Sequence, residues 1–237
     1  MIAALALFGI ASSGQSARSG AEDSATIVVE DWSSQPAGHV GVPIGWEKQS
    51  WSRGQCDLRI EERTDPIEER TDPIGVRPAL HMVSENDNCT ISKRVRKIDV
   101  REYPILRWRW RTVRLPAGGD SRQAATDDQA AQIYLVFPRF PAAVRSRIIG
   151  YVWDSTAPAG GVFRSPSTRL VTYVVVRSGP GELDRWISER RNVLEDFLRI
   201  YGEEPTEPVE AVTIAIDSND TRSRAESYMG EIVFGRQ

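Results

Sequence analysis

Residues 106–111 read LRWRWR, a run in which apolar and cationic side chains alternate with a period of two. In an extended strand, successive side chains point to opposite faces of the sheet. The indoles of Trp108 and Trp110 therefore share one face. The guanidinium groups share the other face: Arg107, Arg109 and Arg111. The run predicts a strand over residues 105–115, with its tryptophans in a core and its arginines outside.

Nine further segments are short, rich in Val, Ile, Tyr and Trp, and bounded by Gly, Pro, Asp or Ser, which is the signature of strands. They are Thr26–Trp32, Cys56–Glu62, Ala79–Ser84, Thr90–Ile98, Ala130–Phe137, Ile148–Trp153, Leu170–Arg177, Val209–Asp217 and Gly230–Phe234. Ten strands at this spacing predict a mainly β protein. We expect a two-sheet antiparallel β-sandwich of the jelly-roll kind, forming a single domain over residues 26–237.

The hydrophobic period changes from two to helical near residues 183–201. Six apolar side chains there fall on one helical face: Trp186, Val193, Leu194, Phe197, Leu198 and Tyr201. Gly202 follows as a residue suited to a helix C-terminus. The pattern predicts one α-helix packed against the sandwich.

Charge and hydrophobicity exclude several classes of protein. The chain of 237 residues has 30 Lys and Arg against 33 Asp and Glu, a formal net charge of −3. Proteins that bind nucleic acid normally carry a basic surplus, so no nucleic-acid partner is expected. No apolar stretch reaches the length of about 18 residues that a membrane helix needs, so no membrane span is expected.

The N-terminus indicates export. Its first residues, MIAALALFGIA, have the length of a signal-peptide apolar region, and small residues follow them. No positive charge precedes Arg18, as in a signal peptide truncated at its start. We interpret residues 1–13 as a signal peptide and 14–25 as a flexible lead-in, which predicts a periplasmic or secreted protein. A buried N-terminal strand or helix is the alternative.

The chain has two cysteines, Cys56 and Cys89, and no CxxC motif. In an exported protein the two can form a disulfide bond. Two unpaired thiols are the alternative, because sequence does not reveal the geometry of the pair.

The arginine row is the first candidate ligand-binding feature. Each guanidinium group presents a planar fork that binds carboxylate or sulfate in a bidentate manner. Three such groups in a row would suit an acidic glycan. The alternative is that these arginines pair with acidic residues of neighbouring strands.

Adjacent carboxylates precede the predicted strand at 130–137. Asp127 and Asp128 can ligate a hard cation, pair with the arginine row, or act as acid and base. Within the strand, Gln132 and Tyr134 share one face. We assign all four residues to the predicted ligand site, with a simple turn at the two aspartates as the alternative.

Two aromatic residues, Tyr151 and Trp153, point the same way in their predicted strand and precede a loop rich in Gly and Pro. Aromatic rings in such a place can stack on sugar rings while the sugar hydroxyls stay in water. Core packing is the alternative.

Oxygen-bearing side chains cluster at the end of the strand at 209–217. Asp217, Asn219 and Asp220, with Glu231 nearby in sequence, offer the ligands that calcium prefers. An Asx turn is the alternative. No cofactor is required by the sequence, and a structural calcium ion at these four residues is the one metal that we predict.

Eight segments, taken in order, resemble the bacterial family called domain of unknown function 3047. They are Asp31-Trp32, Pro43–Trp46, Leu106–Arg111, Asp127-Asp128 with Ile133-Tyr134, Tyr151–Trp153, Arg177–Gly179, Glu189–Val193 with Asp196, and Ile216–Asp220 with Tyr228–Gly230. The resemblance spans residues 27–234. It implies an exported bacterial β-sandwich and no established activity.

The layout is more distantly similar to jelly-roll carbohydrate-binding modules. These modules often open with a strand of acidic and aromatic residues, as in Glu30-Asp31-Trp32. They often close on a strand beside a structural calcium ion, for which Gly230-Glu231-Ile232 is the match.

The sequence therefore predicts an exported non-catalytic module that binds a glycan or other cell-envelope ligand. A more specific version of this hypothesis is that the ligand is acidic. No nucleophile elbow, Walker loop or zinc-protease motif is present. Two alternatives stay open. One is a purely structural envelope protein.

The other alternative is an enzyme acting on polysaccharide. A hydrolase needs two carboxylates spaced for acid and base work, with Asp127, Asp128 and Glu231 as candidates. A lyase would use Arg109 to neutralise a uronate, with Gln132 and Tyr134 assisting proton abstraction.

Overall fold

The computed structural model describes residues 26–50, 52, 54–63 and 77–236. The predicted signal peptide and lead-in lie outside the described residues. Within the described part there are thirteen strands and two α-helices. In chain order they are β1 (Thr26–Glu30), β2 (Glu47–Lys48), β3 (Asp57–Arg63), β4 (Arg77–Glu85), β5 (Asn88–Ile98), β6 (Ile105–Arg114), β7 (Ala131–Phe137), α1 (Ala142–Arg145), β8 (Arg147–Asp154), β9 (Val162–Arg164), β10 (Val171–Ser178), β11 (Ile187–Asn192), α2 (Val193–Tyr201), β12 (Val209–Asp217) and β13 (Arg224–Gly235).

The strands form two sheets. The first sheet has the order β11-β6-β13-β4-β3, and β1 also pairs with β13. The second sheet has the order β2-β5-β12-β7-β8-β10-β9. The predicted mainly β, two-sheet fold is confirmed. One pair departs from the predicted antiparallel pairing, since β8 and β10 run parallel. The reason is that β9 carries the chain back, so that β10 starts at the end of the sheet where β8 starts.

All ten predicted strands are present. Nine of them differ from the prediction by at most two residues at an end, but β13 begins at Arg224, six residues before the predicted Gly230. Three strands were not predicted. Two of them, β2 and β9, have only two and three residues, too few to show a hydrophobic period. The third, β11, lies inside the segment that the sequence assigns to the helix.

The predicted helix is present but shorter, because α2 starts at Val193. The Asn192 side chain accepts a hydrogen bond from the Glu195 backbone N–H at 3.2 Å, which caps the first turn. Gly202 ends the helix in the left-handed conformation at φ 71°. Residues 187–192 pair with β6 as β11 instead. Trp186 matched the helical spacing of the later residues by coincidence.

The core lies between the inner faces of the two sheets. The Trp108 and Trp110 rings of β6 meet edge to face, with centroids 5.3 Å apart. Trp108 also packs on Tyr151 of β8 at 5.4 Å, and Trp110 packs on Trp153 at 6.0 Å. Four interlocked rings therefore join the sheets, and removing one such ring costs about 3–5 kcal/mol.

A disulfide bond joins Cys56 and Cys89, whose Cα atoms are 5.0 Å apart. Cys56 directly precedes β3 of the first sheet, and Cys89 lies in β5 of the second sheet. The bond therefore ties the two layers together near one edge.

None of the helices found in the described ranges has the length and apolar character to cross a membrane.

Candidate functional site

Strand β6 turns its two kinds of side chain to opposite sides. Trp108 and Trp110 are buried, with 1% and 0% of their surface exposed. The arginines lie on the outer face of the first sheet, where Arg107 is exposed and both Arg109 and Arg111 are half-buried. The strand therefore presents guanidinium groups to solvent from a base that the core holds rigid.

An open groove crosses this outer face over β11, β6, β13 and β4. It consists of two adjoining hollows of about 220 and 390 Å³ that share Arg109 and Glu231. Side chains of the first hollow include Asp31, Ser33, Arg77, Arg109, Trp186 and Glu231. Side chains of the second include Arg107, Arg109, Ser188, Arg190 and Glu231. We call the two hollows together the arginine groove.

Gly230 forms the floor of the groove. The register of β13 against β6 shifts between Met229 and Ile232, as in a β-bulge. A Cβ atom at Gly230 would lie 3.1 Å from the Arg109 Cβ atom and 3.3 Å from the Trp186 Cζ3 atom. The missing side chain therefore lets both residues approach the backbone of β13. From the core side, Trp32 donates its indole N–H to the Gly230 carbonyl at 2.9 Å.

Three neighbouring rings, those of Trp186, Tyr228 and His81, form a row that begins in the groove and extends beyond it. Tyr228 stacks on His81 with centroids 4.3 Å apart and planes 10° apart, and its ring lies 6.2 Å from that of Trp186. We call these three residues the aromatic strip. Arginines cover it, because Arg109 lies 5.3 Å from the Trp186 ring and Arg111 lies 5.5 Å from the Tyr228 ring.

Contacts with polar and charged side chains fix the Tyr228 end of the aromatic strip. The Nδ1 and Nε2 atoms of His81 lie 3.1 Å from carboxylate oxygens of Glu61 and Glu226 respectively. Arg111 forms a salt bridge with Asp184. This end of the strip is thus held by partners within the protein, whereas Trp186 stands half-buried in the open part of the groove.

Two predicted ligand residues are core residues instead. Tyr151 and Trp153 are buried, with 0% and 1% of their surface exposed, and so cannot stack on a sugar. The Tyr151 hydroxyl donates to Asp196 Oδ2 at 2.9 Å, and burial raises the pKa of Tyr151 well above its usual range. The Trp153 indole donates to the Gly179 carbonyl at 3.1 Å. The prediction of ring stacking is wrong because both faces of β8 are buried here: Tyr151 and Trp153 lie in the core between the sheets, and Val152 lies in a smaller apolar cluster on the other side.

The other predicted ligand residues lie on the second sheet, so the structure does not bring them to the arginine row. Three of them, Asp127, Gln132 and Tyr134, belong to a ring of polar side chains on the outer face of that sheet. The full ring is Asp127, Gln129, Gln132, Tyr134, Tyr173 and Asp217. Gln129 links the two acids, since its backbone N–H donates to Asp217 at 2.6 Å and its amide donates to Asp127 at 3.0 Å. We call this set the carboxylate ring.

The remaining members of the carboxylate ring close it. Gln132 donates from its amide to Asp217 Oδ1 at 2.7 Å, and Tyr134 donates to Gln132. Tyr173 donates to Asp127 Oδ2 at 3.2 Å. Gln132, Tyr134 and Tyr173 therefore each donate a hydrogen bond to another side chain of the ring.

Burial weakens the acidity of the two aspartates. It raises the pKa of Asp127 to about 6, against hydrogen bonds from Gln129, Ser167 and Tyr173 that lower it. Burial also raises the pKa of Asp217 well above its usual range, and the neighbouring charges of Asp128 and Asp127 act in the same direction. A carboxyl group with a pKa near neutrality is typical of acid–base sites, although structural networks produce it too.

Asp128 has a structural role. Its carboxylate accepts the backbone N–H groups of Asp220 at 3.1 Å and Thr221 at 2.6 Å. The side chain therefore fixes the loop between β12 and β13 and does not face a ligand, since none of its surface is exposed.

The four predicted calcium ligands do not come together. Glu231 lies on the outer face of the first sheet, where it pairs with Arg77 at 3.4 Å. Asp217, Asn219 and Asp220 lie at the end of β12 in the second sheet. Across the part of the chain that the structure describes, no three His, Cys, Asp or Glu residues are grouped to hold a metal ion.

Sequence reasoning missed four residues of the arginine groove and the aromatic strip: His81, Trp186, Arg190 and Tyr228. Trp186 and Arg190 were assigned to the helix. The signal that could have found β11 is the alternation in residues 187–192, where Ile187, Glu189 and Arg191 face inward while Ser188 and Arg190 are exposed. Tyr228 occurs only in a segment of the family resemblance and His81 only in a predicted strand, and neither was given a role in a site, because each lies among residues that suit either face.

Comparison with known proteins identifies the family. A family model described as "Protein of unknown function (DUF3047)" matches residues 50–233. The chain belongs to the DUF3047 family. The matched region contains the arginine groove of this DUF3047 protein apart from Asp31 and Ser33. No curated protein matches the sequence significantly.

Several solved structures are similar to the DUF3047 chain. A family 11 carbohydrate-binding module of a Clostridium thermocellum cellulase has 7% identity and a TM-score of 0.42, covering 88% of this chain and 93% of that one. A family 30 module of another cellulase of the same organism has 10% identity and a TM-score of 0.42, covering 84% and 95%. The xyloglucanase domain of the Sinorhizobium fredii effector NopAA has 8% identity and a TM-score of 0.43, covering 85% and 97%.

Proposed function

We propose that this DUF3047 protein is an exported, non-catalytic module that binds a glycan or another cell-envelope ligand in the arginine groove. The observation that carries the proposal is the position of Trp186. Its half-buried indole stands in an open groove, supported by the Gly230 backbone and by the Arg109 guanidinium group. An indole in this setting offers an apolar face to a sugar ring.

Polar groups line the same hollow as the indole. Asp31, Ser33, Arg77 and Glu231 supply carboxylate, hydroxyl and guanidinium groups there. A concave site with an aromatic surface and a few convergent polar groups is the usual form of a small-ligand site. Sugars present apolar ring faces and hydroxyls together, so both kinds of group would be used.

The groove is also preorganised. Gly230 is held from below by Trp32, and Arg109 stands on a strand whose tryptophans are packed in the core. Little side-chain freedom would be lost on binding, and a low ordering cost favours affinity.

Export is supported by the disulfide bond between Cys56 and Cys89. Disulfides persist in the periplasm and outside the cell, and they are rare in the reducing cytosol. We therefore propose that the protein is periplasmic or secreted.

Affinity gel electrophoresis against neutral and acidic polysaccharides tests the proposal. We expect at least one polymer to retard the protein, and Trp186→Ala to remove the retardation. Phe140→Ala is the matched control, because Phe140 is an aromatic residue 89% exposed on the hairpin between β7 and β8. Failure of every polymer, or equal retardation of Trp186→Ala with an intact fold, would reject the proposal.

Cleavage of polysaccharide is a second candidate function, favoured by the pKa of Asp127 near 6 beside the second acid Asp217. A glycosidase needs one carboxyl group that is protonated near neutrality and one carboxylate. The same polymers, assayed for new reducing ends and for unsaturated products, test this candidate with Asp127→Asn as the control. Products from wild type but not from the variant would favour cleavage.

A further inference from the structure

We infer that Asp31 is a specificity-determining residue of the arginine groove, and that the sugar unit stacked on Trp186 is uncharged. The Asp31 carboxylate would accept hydrogen bonds from the hydroxyls of that sugar. The inference rests on the proposed glycan-binding function and names the class of its ligand. It departs from the sequence-based expectation of an acidic ligand at the place where the indole is exposed.

Asp31 lies in the same hollow as the Trp186 indole. This hollow of about 220 Å³ is lined by both residues, together with Ser33. Asp31 directly follows β1 and is exposed, whereas its sequence neighbours Glu30 and Trp32 are buried, with 3% and 0% of their surface exposed. A sugar ring on the indole therefore shares the hollow with the Asp31 carboxylate.

The backbone holds Asp31 in one position. Trp32 adopts the left-handed conformation at φ 63°, which is uncommon for a residue other than glycine. Its backbone N–H donates to Glu30 Oε1 at 2.9 Å, and its indole N–H donates to the Gly230 carbonyl at 2.9 Å. Glu30 in turn pairs with Lys93 at 2.8 Å. Both sequence neighbours of Asp31 are therefore fixed from within the protein.

One oxygen of the Asp31 carboxylate is engaged and the other is open. Ser33 donates to Oδ1 twice, from its backbone N–H at 3.0 Å and from its hydroxyl at 2.7 Å. Within the described ranges, Oδ2 accepts no hydrogen bond. The bonds from the Ser33 hydroxyl and backbone lower the pKa of Asp31, so the carboxylate is ionised at neutral pH. An ionised carboxylate forms short, charge-assisted hydrogen bonds with hydroxyl donors, which suits Oδ2 to a sugar hydroxyl.

The charges of this hollow do not require an anionic ligand. Its charged members are two carboxylates and two guanidinium groups: Asp31, Glu231, Arg77 and Arg109. Both guanidinium groups have partners inside the protein, since Arg77 pairs with Glu231 at 3.4 Å and Arg109 lies 5.3 Å from the Trp186 ring. A carboxylate or sulfate on the sugar at Trp186 would instead meet the negative charge of Asp31 and be repelled. The hollow therefore favours a neutral sugar.

Matched polysaccharides that share a backbone test the inference. The pairs are hydroxyethylcellulose with carboxymethylcellulose, dextran with carboxymethyl dextran, and arabinoxylan with glucuronoxylan. Affinities are compared at 0.15 M salt, where Debye screening over about 8 Å suppresses long-range attraction and repulsion. Each variant is measured on these pairs and on every other polymer that retards the wild type.

Asp31→Asn is the test variant, and Glu47→Gln is the matched control. An Asn side chain keeps the oxygen that accepts from Ser33 and replaces the open Oδ2 with an amide donor, so the turn is retained. Glu47 is exposed on β2 of the second sheet, so its substitution removes the same charge away from the groove. The thermal midpoints of both variants check that the fold is intact.

We expect the wild type to bind the neutral member of at least one pair more tightly than the acidic member. Asp31→Asn should lose about tenfold in affinity for that neutral polymer, because a charge-assisted hydrogen bond is removed. It should bind the acidic member at least as tightly as the wild type does, because the repulsion is removed as well. Glu47→Gln should keep the affinities of the wild type.

The failure of this inference is distinguishable from the failure of glycan binding. If Trp186→Ala abolishes binding while Asp31→Asn binds every polymer as the wild type does, the role of Asp31 is rejected and glycan binding stands. Wild-type binding that is equal for the two members of a pair, or that favours the acidic one, also overturns the inference. Equal losses in Glu47→Gln would show a net-charge effect and have the same consequence. If no polymer binds, both proposals are rejected.

Discussion

The Arg109 guanidinium carbon lies 5.3 Å from the centroid of the Trp186 indole, with the side-chain-free backbone of Gly230 beneath both residues. Two strands and the loop before a third meet in this contact, because Arg109 belongs to β6, Gly230 to β13, and Trp186 precedes β11. The contact keeps the indole in place while part of its surface stays exposed. It is the feature on which the proposed ligand site depends.

Replacing Trp186 with Ala should weaken binding of the retained polysaccharide by about 5- to 30-fold. The lost stacking surface and cation–π partner account for about 1–2 kcal/mol. Isothermal titration calorimetry with a soluble oligosaccharide measures the change. Phe140→Ala should leave the affinity unchanged, and an affinity of Trp186→Ala equal to that of wild type would contradict the prediction.

Replacing Tyr151 with Phe should affect stability and leave ligand binding alone. The substitution removes a buried hydroxyl that donates to Asp196 at 2.9 Å, while Arg191 still pairs with that carboxylate. We expect the free energy of unfolding in urea to fall by about 1–2 kcal/mol. A loss of polysaccharide binding without a loss of stability would restore Tyr151 to the ligand site and contradict its core role.

The contrast between β6 and β8 shows what the sequence could and could not predict. In β6 the alternation of tryptophan with arginine leaves one arrangement, since only the indoles suit a core. In the middle of β8, residues 148–153 are uncharged on both faces, with Tyr151 and Trp153 on one and Gly150 and Val152 on the other, and all four are buried. Periodicity therefore predicted the strand but not which face meets the first sheet.

The prediction at residues 183–201 failed in its first half for a related reason. Val193, Phe197 and Tyr201 are four residues apart and do form the helix. Trp186, seven residues before Val193, would lie on the same helical face, although it precedes a strand. The inward Glu189 of β11 also resembles a surface residue in sequence, because its partners Trp110 and Arg177 come from distant segments.

The sequence also did not predict which of the two sheets each strand would join. Asp127 and the arginine row were predicted in one site, but they lie in different layers. Which strands are neighbours depends on the packing of the whole chain. Local patterns identify strands and leave their order open.

Asp127 should make stability fall with rising pH across a defined window. Its pKa is 3.8 in an ordinary carboxyl group and about 6 in the folded protein, so the folded state binds more protons between these pH values. The free energy of unfolding therefore has its full contribution from Asp127 below about pH 3.8 and loses it as pH rises through 6.

The Asp127→Asn variant removes this dependence. We expect it to be more stable than wild type at pH 7.5, by about 1–3 kcal/mol, and similar to wild type at pH 4. Urea unfolding at a series of pH values measures the difference. Asp120→Asn should act in the opposite direction, because Arg122 holds the pKa of Asp120 below its usual range. A constant difference between Asp127→Asn and wild type at every pH would contradict the prediction.

Removing the disulfide should destabilise the fold without changing the groove. Cys56 and Cys89 are 33 residues apart in sequence. Opening a loop of this length is expected to lower the free energy of unfolding by about 3–4 kcal/mol. The double variant Cys56→Ser with Cys89→Ser, compared with reduced wild type, checks the effect. Unchanged unfolding in both samples, with free thiols demonstrated in the reduced one, would be the contrary result.

The most direct measurement is a titration of the protein with a retained oligosaccharide, followed through its tryptophan indole N–H signals by NMR. We expect the Trp186 signal to shift in a saturable manner. The indole signals of Trp108, Trp110 and Trp153, which are buried between the sheets, should stay in place or move far less. Saturable shifts confined to residues of the second sheet, with the Trp186 signal unmoved, would contradict binding in the arginine groove.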